Sequence, residues 1–143
     1  MAITIRRLRM SDYAAIIEVL RACDLNPRVR GRESRKNLAK QLRSRQTLYL
    51  GAFDGARLVG TVFGTHDTRK GWINRLAVFP EYQHRGIASK LVRECERGLR
   101  KHGLEMFAAL IDAGNTASRA LFFKLGYTSS EILYYRVKDH EDV

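Results

Sequence analysis

The sequence carries only two cysteines in 143 residues, Cys23 and Cys95. They fall in separate amphipathic segments with no second cysteine near either, so zinc-ligand spacing and redox CxxC spacing are both absent, and both read as buried, reduced thiols. The four histidines, His66, His84, His102 and His140, are scattered and lack the i, i+4 pairing with a nearby glutamate that marks a helical zinc site. No metal is expected. Long apolar runs are missing as well, since none approaches the ~20 residues that cross a bilayer, and no membrane span is expected. The start, Met1-Ala2-Ile3-Thr4-Ile5-Arg6-Arg7, places charge after the apolar residues, the wrong order for a secretory signal, which makes a cytoplasmic location the expectation. No repeat, linker or low-complexity tract interrupts the chain. A hydrophobic share of 45% beside 29% charged residues is ordinary for a globular protein and argues against a disordered tail or a fibre. The length suits one domain over residues 1–143, enough to bury roughly 70% of the unfolded surface.

Charge is the compositional outlier. Twenty-six Lys and Arg against 15 Asp and Glu give +11, which favours an anionic partner: a phosphate-rich cofactor, a nucleic acid, an acidic protein or an anionic surface. Much of it lies in Arg28-Val29-Arg30-Gly31-Arg32-Glu33-Ser34-Arg35-Lys36 and continues through Lys40, Arg43 and Arg45. A solvated basic helix face with its preceding loop explains the stretch at least as well as a binding patch. No helix-turn-helix, zinc finger or stacked-aromatic RNA signature accompanies it, so a nucleic-acid partner ranks lowest.

The hydrophobic period orders the elements. Residues 3–8 alternate like a half-exposed strand, and Ser11 or Asp12 caps a helix with Ile16, Ile17 and Leu20 on one face, ending near Asn26-Pro27. Ser34 caps a second, basic helix with Leu38 and Leu42 four apart. Residues 47–53 and 57–64 form a hairpin about Asp54-Gly55, and residues 72–78 add a third strand of an antiparallel meander. Gly60 and Gly64 mark kinks or close backbone approach. After Pro80 the period becomes helical, with Ile87, Leu91, Cys95 and Leu99 on one side as far as His102-Gly103. Residues 104–111 read as a buried strand, 115–125 as a short helix closed by Gly126, and 132–137 as a last alternating strand. A strand, a helix and a strand over residues 72–111 require a crossover, so the class is mixed α/β.

Chemistry concentrates between the third meander strand and the long helix, in Phe79-Pro80-Glu81-Tyr82-Gln83-His84-Arg85-Gly86-Ile87-Ala88-Ser89-Lys90. A helix N-terminus offers unpaired amides and the positive end of the macrodipole, and small residues let an anion approach the backbone. Gly86 and Ala88 permit that approach, while Arg85 and Lys90 add charge. The spacing fits neither GxxxxGK[ST] nor GxGxxG, so neither of those nucleotide sites is expected.

This turn, Gln83-His84-Arg85-Gly86-Ile87-Ala88 after Leu76-Ala77-Val78, resembles the [Q/R]-x-x-G-x-[G/A] signature of the GNAT N-acetyltransferase superfamily. The family's second motif, an asparagine opening a short helix that ends in leucine, glycine and an aromatic, is matched by Asn115 through Leu125-Gly126-Tyr127. The two cover residues 72–127, and the likeness runs to small bacterial members akin to ribosomal-protein alanine acetyltransferases. The resemblance implies a GNAT fold with a mixed sheet of roughly six or seven strands flanked by about four helices. It implies acetyl-CoA as cosubstrate and an amine as acceptor. Leu76, Ala77 and Val78 would bind the pantetheine arm as an added strand. Gln83 and the amides of His84, Arg85, Gly86, Ile87, Ala88 and Ser89 would hold the pyrophosphate, with Asn115 and Phe122 near the thioester.

The match is incomplete where chemistry is concerned. Relatives often place a tyrosine seven residues after the asparagine to protonate the leaving thiolate; here that position is Phe122. Trp72 and Leu110 stand where relatives carry glutamates. The Val78 amide is the oxyanion-donor candidate, and Asn74, Arg75 and Tyr135 are acceptor-cleft candidates, with the general acid and base unassigned. Asn74 and Arg75 alternate on one strand, so only one is expected to face the cleft. Tyr82 and Tyr127 read as structural. A coenzyme A-binding sensor without turnover is the alternative reading, and a homodimer is a possibility by analogy alone.

Overall fold

The computed structural model describes residues 2–138 and Val143; His140 lies outside the described residues. The elements follow the sequence in the order β1 (Ile3–Arg7), α1 (Tyr13–Ala22), α2 (Arg35–Arg43), β2 (Thr47–Asp54), β3 (Arg57–His66), β4 (Gly71–Val78), α3 (Ile87–Arg100), β5 (Phe107–Ala108) and α4 (Thr116–Lys124). Short 3-10 turns at Met10–Asp12 and Pro80–Tyr82 introduce α1 and the segment before α3. The five strands form one sheet in the order β1-β2-β3-β4-β5, antiparallel except for the parallel β4–β5 pair that α3 connects.

The strand count is below the expected six or seven among the described residues, and the shortfall lies at the C-terminal side. Residues 131–136 have no regular structure, although they alternate, and β5 shrinks to two residues of the expected 104–111. Ladder hydrogen bonds need an adjacent edge, and only Gly71↔Phe107 and Trp72↔Ala108 pair β4 with β5. Ile132, Leu133, Tyr135 and Val137 consequently stand exposed.

The core forms where amphipathic α3 packs on the sheet. Leu91, Val92, Cys95 and Leu99 are fully buried, and each large apolar side chain so buried contributes about 1.5–3 kcal/mol. Gly64 lets α3 come close, since a Cβ there would collide with the Cys95 sulfur. The same helix buries Glu96, which accepts hydrogen bonds from Tyr127 Oη at 2.6 Å and Arg93 Nη1 at 2.9 Å. α1 packs against β3 and β4, and α2 against β2. Ser34 caps α2 as expected, its Oγ accepting from Asn37 N at 3.2 Å. Asp12 instead receives Arg6 and the Arg9 amide.

Burial gives the core an alkaline limit. It pushes the Cys95 thiol up to about 12 from an ordinary 9.0, and the Tyr49 phenol up to about 12 from 10.0. Both groups favour the proton more in the folded chain than in the unfolded one, so their contribution is complete below the unfolded values and falls away as pH rises toward 12. The urea midpoint is therefore expected to decline above pH 9, and Cys95→Ala should flatten the first part of that decline while lowering stability throughout. A midpoint in the wild-type protein that stays constant to pH 12 would contradict this.

Candidate active site

β4 parts from β5 after Trp72, so its second half has a partner only on the β3 side. Phe79 N donates to Val59 O at 2.9 Å, and Val78 stands opposite Gly60 in the adjoining register. Antiparallel alternation then turns the Val78 amide and carbonyl away from β3, toward the open side. The carbonyl is already used there, accepting from Gln83 Nε2 at 3.0 Å and from Cys23 Sγ at 3.2 Å. The amide of Val78 faces the same side. Burial pushes the half-buried Cys23 thiol up, outweighing that hydrogen bond, so it stays a neutral donor near pH 7.

The turn that follows is fastened on both flanks. Tyr82 Oη donates to Asp54 Oδ2 at 2.6 Å, and Arg57 pairs with Glu81 at 2.9 Å while lying over the rings of Phe79 and Tyr82. Gln83 reaches back to Val78, so its side-chain amide is engaged within the turn. His84 and Gly86 are left-handed, with φ of 62° and 79°. Gly86 is the N-cap of α3 and supplies no side-chain acceptor. Lys90 N donates to Gly86 O, and the amides before it in the first turn lack intrahelical partners by helix geometry. A Cβ built on Gly86 would meet nothing within 4 Å, so the α3 N-cap itself is uncrowded. Unpartnered amides and the positive end of the helix suit a diphosphate; of the two cations, Arg85 lies over the Tyr82 ring within the turn, while Lys90 Nζ donates to Ile3 O at 3.3 Å.

Asn115 caps α4, its Oδ1 accepting from Ser118 N at 3.1 Å. Phe122 is buried, edge-on to Tyr127 with ring centroids 4.9 Å apart. Burial, then the bond to Glu96, drives the Tyr127 phenol well above its ordinary range, which fits the structural part expected of it.

The acetyltransferase (GNAT) family profile matches residues 13–127. An acetyltransferase of Photorhabdus laumondii is 31% identical over 124 residues, 86% of this chain and 85% of that protein. The chain belongs to the GNAT family. It is an N-acetyltransferase with acetyl-CoA as its cosubstrate. Among solved structures, the PaiA N-acetyltransferase of Thermoplasma acidophilum in complex with coenzyme A has a TM-score of 0.83 at 26% identity, over 92% of this chain and 93% of that one. The ribosomal-protein-S18-alanine N-acetyltransferase of Escherichia coli shares the fold at a TM-score of 0.77 and 21% identity, over 91% of this chain and 80% of that one.

In this GNAT chain a β-bulge sits in β4, between the pairs Thr61↔Ala77 and Phe63↔Asn74. Arg75 occupies it with φ of 51°, and fully buried Thr61 donates its hydroxyl to Arg75 O at 2.9 Å. The bulge breaks the simple alternation assumed for Asn74 and Arg75. The Arg75 guanidinium donates to Leu25 O at 2.7 Å and to Glu33 Oε1 at 2.5 Å. Glu33, 3% exposed, also receives the Arg28 amide at 2.8 Å, and its own carbonyl accepts from Tyr13 Oη at 2.6 Å. The basic loop between α1 and α2 is thus tied to β4 through one carboxylate. Sequence reading missed Glu33, although it is the lone acid in a run of cations. Asn74 and Leu76 are half-buried beside the bulge, and Ala77 is buried. Tyr135 is not carried by a strand and is 85% exposed. Among the described residues no cluster of three or more His, Cys, Asp and Glu could hold a metal, and no helix is long and apolar enough to cross a membrane.

Proposed function

We propose that the chain acetylates an amine borne on an acidic small molecule or peptide, by direct attack in a ternary complex. One observation carries this reading: the side of β4 that β5 leaves open past Trp72, with the Val78 amide turned toward it, leads through the turn at residues 79–86 to the N-terminus of α3, which has no side-chain cap. Leu76, Ala77 and Val78 offer the edge along which the pantetheine arm adds as a strand, and His84 to Ser89 offer the diphosphate amides. The Val78 amide aims at the oxygen on which charge gathers as the thioester is attacked. Asn115 remains a helix cap that can also touch the arm.

The acceptor must lose a proton, because an ordinary alkyl amine with pKa ~10.4 is charged at neutral pH. Glu33 is engaged by Arg75 and the Arg28 amide, so water is assigned the proton path, with the half-buried Asn74 of β4 as the side chain that orients it. Phe122 offers no proton for the departing thiolate, and solvent takes that part. Phe122→Tyr is accordingly expected to leave turnover within about threefold, since a hydroxyl inserted beside Tyr127 gains no catalytic position. Transfer seen only in the tyrosine variant would refute this. Binding of coenzyme A without transfer to any amine would favour a sensor.

Charge chooses the acceptor class. Arg28, Arg30 and Arg32 lie in the loop that Glu33 ties to β4, and a positive rim draws carboxylate-bearing amines and repels polycations. The solved neighbours include a 6'-N-acetyltransferase bound to a coenzyme A–neamine bisubstrate analogue, 15% identical over 97% of this chain and 100% of that one, with a TM-score of 0.81. We expect labelled acetyl-CoA to give at least tenfold higher kcat/KM with an acidic peptide amine than with an aminoglycoside, and the opposite order would overturn the assignment. The reading includes a single domain, a cytoplasmic setting and a homodimer.

A further inference from the structure

The end of the molecule away from the phosphate turn carries a second basic feature. Two adjoining cavities of about 440 and 250 Å³ share Arg7 and His102. The first is completed by Leu42, Arg43, Ser44, Arg45 and Thr47; Arg97 and Lys101 bring cations to the second. β1, the end of α2, the start of β2 and the end of α3 thus assemble one groove from four distant parts of the chain. Its single lining carboxylate, Glu94, is paired with Arg97 at 2.7 Å. Among the described residues Arg7, Arg43, Arg45 and Lys101 have no carboxylate partner. α3 has 14 residues and opens at the turn, so the groove lies roughly 20 Å from the cofactor amides.

We infer that this groove binds the phosphodiester backbone of a nucleic acid, independently of the acetyl-transfer site. The cations are spread along two cavities and do not converge on a point, which suits a chain of phosphates better than one small anion. No Phe, Tyr or Trp lines either cavity, so there is no platform for stacked bases and binding is to the backbone without sequence preference. Leu42 and Ile5 are half-buried in the lining and Leu48 and Leu50 are buried. The groove therefore has no fully exposed apolar or aromatic anchor of the kind a protein partner needs at the centre of its footprint, and the most exposed lining groups are guanidinium and ammonium. The basic stretch of the sequence contributes only Arg43 and Arg45; Arg7, Arg97, Lys101 and His102 join them through folding.

The test is fluorescence anisotropy of the full chain with labelled mixed-sequence RNA and DNA of about 15 nucleotides, across a salt series. With four or five phosphates neutralised, log K should fall against log salt with a slope of about −3 to −4. Arg43→Glu with Arg45→Glu should weaken binding at least tenfold and reduce the slope by about two. Arg7→Gln with Lys101→Gln should repeat the loss from the other cavity. The control Arg69→Glu with Lys124→Glu changes the charge equally at exposed positions outside the groove and should leave binding within about twofold. Calorimetry with coenzyme A should be unaltered in every groove variant, so that failure here and failure of the acetyl-transfer reading are separate results. Salt-insensitive or undetectable binding, an equal loss in the control, or displacement by polyglutamate as effective as by nucleic acid would each overturn the inference.

Discussion

Gly86→Glu is expected to weaken coenzyme A binding at least 100-fold by calorimetry, about 2.7 kcal/mol, and to remove detectable acetyl transfer. Two effects combine. A side chain at φ of 79° costs roughly 1–2 kcal/mol in backbone strain, which weakens binding because the free turn can relax away from this geometry and the complex cannot. A carboxylate would also stand beside the amides proposed for the diphosphate. Gly86→Ala separates them: its Cβ meets nothing within 4 Å, so only the strain remains and the loss should stay below about tenfold. Equal affinities in wild type and the glutamate variant would remove the turn from the binding site.

Glu33→Ala should be the most damaging single change outside the central core. The Arg75 and Glu33 side chains are 14% and 5% exposed, and removing one member of a buried pair typically costs about 3–5 kcal/mol because the other charge is left uncompensated. The Arg28 amide also loses its acceptor. At about 2–4 °C per kcal/mol for a chain of this size, a melting point lower by roughly 10 °C is expected. Glu33→Ala combined with Arg75→Leu should recover part of the loss, since no unpaired charge remains. A single variant within 1 °C of wild type would show that the tie between the basic loop and β4 holds nothing together. Because the tie anchors the loop and not the phosphate turn, acceptor KM should rise in Glu33→Ala at permissive temperature while coenzyme A affinity holds.

The parts of this protein legible in its sequence are those set by local chemistry. The β2–β3 hairpin was written in Asp54-Gly55 between two β-rich runs, α2 in the Ser34 cap, and α3 in its apolar stripe with Gly86 opening it. Asn115 and Gly126 bracket α4 where expected. Residues 132–137 mislead because alternation states which faces a strand would show, without naming the edge that would pair with it. β4 is subtler. Its pattern is extended throughout, yet Arg75 enters the left-handed region and shifts the register, a bulge held by Thr61 and by a carboxylate 42 positions earlier. Glu96 illustrates the same limit, facing inward on α3 because Tyr127 and Arg93 complete it.

The parting of β4 from β5 also bears on the protein's persistence. An interior strand with one bare side is an unfinished ladder, and whatever fills it is bound by the native chain and not by the unfolded one. Mass action then adds about 2.7 kcal/mol when donor reaches 100 times its Kd, so melting temperature should climb with the logarithm of donor concentration. Purified enzyme stripped of donor would then be its least heat-resistant form.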